Sequence, residues 1–126
     1  MILALDTTKD DTIISLLNDT GEIFIERSFL LRFSQSEELL ARIKQVLAEK
    51  SLTIKDISGI LVNLGPGKYT GLRVGITTAN AIAFSLNIPV AGNRDKLFPL
   101  VNKGFEAPVL PKYQNQPVIT KPKSRL

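Results

Sequence analysis

Residues 57–91 read ISGILVNLGPGKYTGLRVGITTANAIAFSLNIPVA, and this stretch decides the fold. Its first six residues, ISGILV, form a short and nearly continuous apolar run. Such a run suits a strand covered on both faces, as in a parallel sheet. The loop from Asn63 to Tyr69 carries Gly65, Pro66 and Gly67 and leads into a helix from about Thr70 to Leu86. Ile88 to Ala91 then reads as another buried strand. Strand, helix and strand in that order make a right-handed crossover unit.

Upstream, ILALD at 2–6 and TIISLL at 12–17 read as strands separated by the polar turn TTKDD. NDTG at 18–21 is a second turn signal. EIFIERSF at 22–29 reads as a third strand, with Ile23 and Ile25 alternating against more polar neighbours. Sequential strands joined by such short turns run antiparallel. Ser34-Gln35-Ser36-Glu37 is a capping-box pattern, in which the Ser34 hydroxyl accepts from the Glu37 amide and the Glu37 carboxylate reaches back. The helix that follows runs to about Lys50. Leu39, Leu40, Ile43, Val46 and Leu47 fall on one stripe, which reads by itself as core. Residues 93–102 read as one more short helix. From Gly104 onward Pro108, Pro111, Pro117 and Pro122 forbid a helix. The expected architecture is an α/β lobe over 1–103, with a mixed five-stranded sheet and helices packed on it. An extended, Pro-rich, basic tail over 104–126 completes the chain.

Composition narrows the chemistry. A chain of 126 residues, 44% hydrophobic and 22% charged, fits one ordinary globular domain. No apolar run approaches the ~18 residues needed to cross a bilayer. The opening MILALDTTKDD lacks a basic leader and does not read as a secretory signal. Cysteine and histidine are both absent. That excludes disulfides, thiolate or imidazole zinc sites, a Ser-His-Asp triad and imidazole acid–base catalysis. Any catalysis would fall to carboxylates, Lys, Tyr, hydroxyls or a metal held by oxygen. Net charge is +4, and no acid follows Glu106, while Lys112, Lys121, Lys123 and Arg125 do. Such an ending fits a solvated tail or a phosphate-facing arm.

GPGKYTG at 65–71 invites a phosphate-loop reading. It fails the Walker pattern, because Val62 stands where the first glycine belongs and Tyr69 follows the lysine. It fails GxGxxG because Thr70 stands at the third glycine. Gly65 and Gly67 remain at a strand-to-helix turn, where amides and the helix dipole can hold an anion. They equally fit a turn that merely needs glycine. Asp6-Thr7-Thr8 at the first strand end fits a hydrated Mg²⁺ and phosphate, or an ordinary turn.

Helix 70–86 carries a small-residue ridge, Gly71, Gly75, Ala79 and Ala83, repeating every four residues. Leu72, Val74, Ile76, Ala81, Ile82, Phe84 and Leu86 spread over its other faces, and Arg73 is its one charge. A helix packed on one side of a sheet should show a charged outer face. This helix is therefore expected to be buried in a larger domain or in an interface, and so short a chain favours the interface.

At these residues a family resemblance emerges. ILALDTT at 2–8, Ser36-Glu37 with Leu39 and Leu40, and GPGKYTGLRVG at 65–75 with IPVAG behind it resemble the N-terminal lobe of TsaB (YeaZ-type) proteins. The family pattern is close to GPGSFTGLRIG, followed by a small-residue helix and an IPV strand. The resemblance covers residue 1 to about 101, and PKYQNQPVITKP at 111–122 is similar to the end of the same family. It implies an actin-like ATPase-type (ribonuclease H-like) lobe, also called a Gcp-like domain. It implies a non-catalytic scaffold subunit, without cofactor or metal, in the cytoplasm. The expected partner is TsaD, which transfers threonylcarbamoyl to the tRNA adenosine beside the anticodon, with TsaE as a further partner and tRNA contacted through the complex. The helices at about 35–49 and 70–86 would pair with TsaD, or with a second copy. That assigns Leu39, Leu40, Ile43, Leu47, Gly71, Leu72, Gly75, Ile76, Ala79, Ile82 and Ala83 to the interface.

Three departures stand against the pattern. Gln35 replaces a frequent His, Lys68-Tyr69 replaces Ser-Phe, and almost no second lobe follows. Actin-like folds hold nucleotide between two lobes, so Asp6, Thr7, Gly65 and Gly67 are expected to be a vestigial phosphate site. The rival readings are a nucleotide-hydrolysing or peptidase-like enzyme of the wider family and an unrelated homodimer. The absence of His argues against the metal site of catalytic relatives.

Overall fold

A computed structural model of the chain describes residues 1–30 and 36–112. Among these residues are five strands, β1 (Ile2–Asp6), β2 (Thr12–Leu17), β3 (Ile23–Phe29), β4 (Gly59–Val62) and β5 (Val90–Ala91), and three α-helices. These are α1 (Ser36–Ala48), α2 (Tyr69–Leu86) and α3 (Arg94–Leu97). The sheet order is β3-β2-β1-β4-β5. β1–β2 and β2–β3 are antiparallel, whereas β1–β4 and β4–β5 are parallel. This is the expected mixed sheet, with β1 at its centre and α2 as the crossover.

Alternation along the strands sorts the core into two layers. Leu3 and Leu5 of β1, Ile14 and Leu16 of β2, and Ile60 and Val62 of β4 point to the side carrying α1 and α2. Ile2 and Leu17 point the other way, where with Ala91 and Leu97 of α3 they form a small second cluster. Leu61 also lies on that side and is only half-buried. The expectation that the 57–62 strand is covered on both faces therefore holds fully on one face alone, because α3 is a single turn.

The third strand departs from simple alternation. Between Leu16 and Leu17 the β2–β3 register shifts: Ile25 pairs with Leu16 and Ile23 with Leu17, leaving Phe24 as an extra residue. A bulge of this kind re-aims the side chains beyond it. Ile25 is buried, but Ile23 is 56% exposed on the edge strand. Lys50 covers the Phe24 ring at 4.7 Å, and Arg27 pairs with Glu49 at 2.7 Å, so charged side chains guard this edge.

Helix α1 begins at Ser36 and carries Glu37 and Glu38 in its first turn, favourable for the helix dipole. Ser34 and Gln35 of the expected capping box lie outside the described residues, as do 113–126 with Lys121, Lys123 and Arg125. Among the described residues no helix is long and apolar enough to cross a membrane.

Residues 104–112 run as an extended segment beside α2. Phe105 and Val109 pack against the main core. The Asn80 side chain grips the backbone of Val109 twice, its Nδ2 donating to the Val109 carbonyl and its Oδ1 accepting from the Val109 amide, both at 2.9 Å. Asn87 Oδ1 accepts from the Phe105 amide at 3.0 Å, and the Lys112 amide donates to the Leu64 carbonyl at 2.6 Å. The first part of the tail is thus docked, and α2 has more cover than its short chain suggested.

Candidate partner-binding face and glycine loop

The small-residue ridge of α2 faces the lobe itself. A Cβ on Gly71 would strike the Thr7 carbonyl, and one on Gly75 would strike the Thr7 hydroxyl. The two glycines let the helix lie directly against the end of β1, where the Thr7 hydroxyl donates to the Gly71 carbonyl at 2.7 Å. Ala79 and Ala83 continue the ridge and are fully buried. Leu72, Gly75, Ile76 and Ile82 are buried too, and so are Leu39, Ile43 and Leu47 of α1. Leu40 and Gly71 are half-buried. Of the residues assigned to a partner interface, nine are therefore core in the free chain. The physical reason is that α1 and α2 each spend their apolar stripe on the sheet and on one another.

What remains open is the opposite face of α2. Thr70, Arg73, Thr77, Ala81, Phe84 and Ser85 are exposed at spacings of three and four, one continuous stripe. Phe84 is 72% exposed and Tyr69, at the helix start, 58%. Arg73 lies over the Tyr69 ring at 5.3 Å and is the only charge along this stripe. Small hydroxyl and methyl groups with aromatic rings at both ends give a surface that desolvates at little cost and admits a close neighbour. The sequence signal, charge depletion, located the helix. It could not separate the inner ridge from the outer stripe, because both are rich in small residues.

The glycine loop lies at the N-terminal end of α2. Gly65 has φ 103° and precedes Pro66 through a cis peptide bond. Asp6 organises this end of the sheet. Its Oδ1 accepts from the Thr8 amide at 3.0 Å and the Thr8 hydroxyl at 2.6 Å, and its Oδ2 from Asn63 at 3.2 Å. Burial pushes the Asp6 carboxyl up. The bonds from Thr8 and Asn63, with Lys9 nearby, outweigh that and hold it below its ordinary value. Gly67 lies against Thr8, and the Lys68 amide donates to the Thr8 carbonyl at 3.2 Å. The structure thus brings Asp6, Thr7, Gly65 and Gly67 into one neighbourhood. Lys68 pairs with Asp10 beside a cavity of about 230 Å³ that Thr7, Thr12 and Tyr69 also line.

Sequence reasoning missed Asn80 and Asn87. The available signals were an amide in the middle of an apolar helix at Asn80, a position that favours neither helix propensity nor solvation unless the side chain has a partner, and an asparagine just past the helix end at Asn87, which takes the left-handed conformation with φ 54°.

Comparison with known proteins agrees with this architecture. Residues 34–93, which span α1 to β5, match the family described as TsaD, tRNA N6-adenosine threonylcarbamoyltransferase. The chain is 34% identical over 90 residues to the tRNA threonylcarbamoyladenosine biosynthesis protein TsaB of Bacillus subtilis, covering 71% of this chain and 39% of that protein. It is 32% identical over 92 residues to the TsaB of Buchnera aphidicola, covering 73% and 43%. The solved structure of YeaZ from Pseudomonas aeruginosa superposes with a TM-score of 0.64 at 27% identity, over 73% of this chain and 42% of that one. The chain spans about two fifths of the length of these relatives. Its lobe has the actin-like, ribonuclease H-like fold of the YeaZ structures. From its identity to TsaB proteins and from the matching fold, the chain belongs to the TsaB (YeaZ-type) family.

Proposed function

We propose that the chain serves tRNA threonylcarbamoyladenosine biosynthesis as a non-catalytic scaffold, presenting the outer face of α2 to a TsaD-type transferase subunit. The observation that carries this reading is the exposed stripe Thr70, Arg73, Thr77, Ala81, Phe84, an uncharged surface apart from one arginine. A solvated helix of a self-contained lobe would carry more charge there. Two further facts support it. The TsaB relatives are named for this pathway, and the matched family is that of the transferase, so a transferase subunit would share this fold and its helix pair.

The glycine loop supports an accessory role over chemistry. Both Asp6 oxygens are engaged by Thr8 and Asn63, and the Thr7 hydroxyl is engaged by Gly71. These groups brace β1 against α2, in keeping with a vestigial phosphate site. A TsaE-type ATPase, tRNA held through the complex, and a cytoplasmic setting follow from the same reading. Reconstitution tests it. Adding this chain to the TsaD-type subunit of the same source should give a stable complex on size exclusion, while the chain alone transfers no threonylcarbamoyl. Failure to co-elute at micromolar concentration overturns the proposal.

A further inference from the structure

The extended segment 104–112 lies along one edge of the α2 stripe, and the stripe's exposed aromatic touches it. Asn80 and Asn87, seven residues apart, mark that edge of the helix, and each bonds the segment's backbone. Arg73, Thr77 and Phe84, seven, three and four residues from Asn80, lie on the same side of the helix. The Phe84 ring meets Phe105 edge to face, with centroids 5.5 Å apart and planes at 85°. Leu110 beyond is 75% exposed.

The grip is specific in kind. Asn80 satisfies both the amide and the carbonyl of one residue, Val109, as a neighbouring strand would. A backbone pair held by a side-chain amide fixes position without dictating the segment's outward side chains. The Asn87 and Leu64 contacts fix the segment at either end of this central bond pair. Val109 and Phe105 turn inward onto the core, while Glu106, Ala107, Pro108 and Leu110 stay exposed. The strap therefore adds surface beside the stripe and leaves the stripe open.

We propose that residues 104–112 are a strap belonging to the partner-binding face, with Asn80 as its latch. The docked strap supplies the Phe84–Phe105 pair and Leu110 as an apolar rim against which the transferase subunit seats. This inference rests on the reading of α2 as the face that meets that subunit. With the latch closed the rim is ordered in advance. With it open, the partner must order nine residues before the same contacts form, and affinity falls.

The test measures binding of the full chain to the TsaD-type subunit by calorimetry, for wild type, Asn80→Ala, Val109→Pro and Ala81→Glu. Asn80→Ala removes the latch from the helix side. Val109→Pro removes the amide that bonds it and leaves α2 intact, so the proposal stays testable if Asn80→Ala misfolds. Both should keep the helical circular dichroism of wild type and speed amide exchange at Phe105 and Lys112. Both should bind about fivefold more weakly or worse, as expected when Asn80→Ala loses both latch hydrogen bonds and Val109→Pro loses one. Unchanged or tighter binding by a latch variant, while Ala81→Glu weakens binding roughly thirtyfold or more, overturns the strap and leaves the α2 face standing. Normal binding by Ala81→Glu overturns the α2 reading itself, and the strap with it.

Discussion

Thr7 occupies the space that a side chain on Gly75 would need, and its hydroxyl is already committed to Gly71 one turn earlier. The approach of α2 to the end of β1 thus depends on two residues 68 positions apart.

Gly75→Ala should consequently destabilise the lobe. In an unobstructed helix, alanine in place of glycine gains about 1 kcal/mol. Here the added methyl meets the Thr7 hydroxyl and methyl, and overpacking of that kind costs about 1–3 kcal/mol. A net loss of up to about 2 kcal/mol is expected in urea unfolding. Thr7→Ala in the same chain should recover part of it, because the two sites share one contact. A stabilised Gly75→Ala would show that the helix can move away from β1.

The two sides of α2 should respond in opposite ways to the same charge. Ala79 is fully buried, so Ala79→Glu places an unpaired carboxylate in the core and should cost about 3 kcal/mol or more. Ile82 is also buried, and Ile82→Glu should behave likewise. Ala81 is exposed, and Ala81→Glu should leave circular dichroism and melting within about 0.5 kcal/mol of wild type. Melting curves of the three variants check this directly. A folded Ala79→Glu variant would place the inner ridge outside the core.

The Asp6 carboxyl is held below its ordinary value in the folded chain by Thr8, Asn63 and Lys9, against the opposing effect of burial. A depressed folded value contributes stability above the unfolded value, and that stability is lost as pH falls through the folded one. Asp6→Asn should therefore flatten the acid side of the stability profile, below about pH 4, while losing stability at neutral pH. Urea midpoints measured across that range for both chains read it out. Parallel acid profiles would show that Asp6 gains nothing from its donors.

Much of this was legible in the sequence. The run ISGILV, the glycine loop and the IPV strand fixed the crossover, since each local signal agrees with the next. The antiparallel meander followed from turns too short for any other connection. The edge strand was less legible. Ile23 and Ile25 alternate against more polar neighbours, as a strand should, but the extra residue Phe24 interrupts their pairing with β2, and a bulge leaves little trace in periodicity.

The candidate site was legible only in part. Charge depletion singled out α2, yet Gly71, Gly75, Ala79 and Ala83 were read as a surface for a partner when they are where the helix meets Thr7 and the sheet. Small residues permit close approach, and nothing in their spacing says whether the neighbour lies in the same chain. The docking of 104–112 was hidden for a related reason. Asn80 and Val109 lie 29 residues apart and meet through a side-chain amide, a contact with no periodic signature.

The measurement that bears most directly on the central claim is the affinity of the TsaD-type subunit for two equally folded variants. Ala81→Glu charges the outer face of α2, and Ser28→Glu charges the exposed edge strand β3, away from α2. A carboxylate that is solvated in the free chain but desolvated in a complex should cost at least about 2 kcal/mol, or roughly thirtyfold in affinity. The account predicts that loss for Ala81→Glu and wild-type binding for Ser28→Glu. Wild-type binding by Ala81→Glu would contradict it.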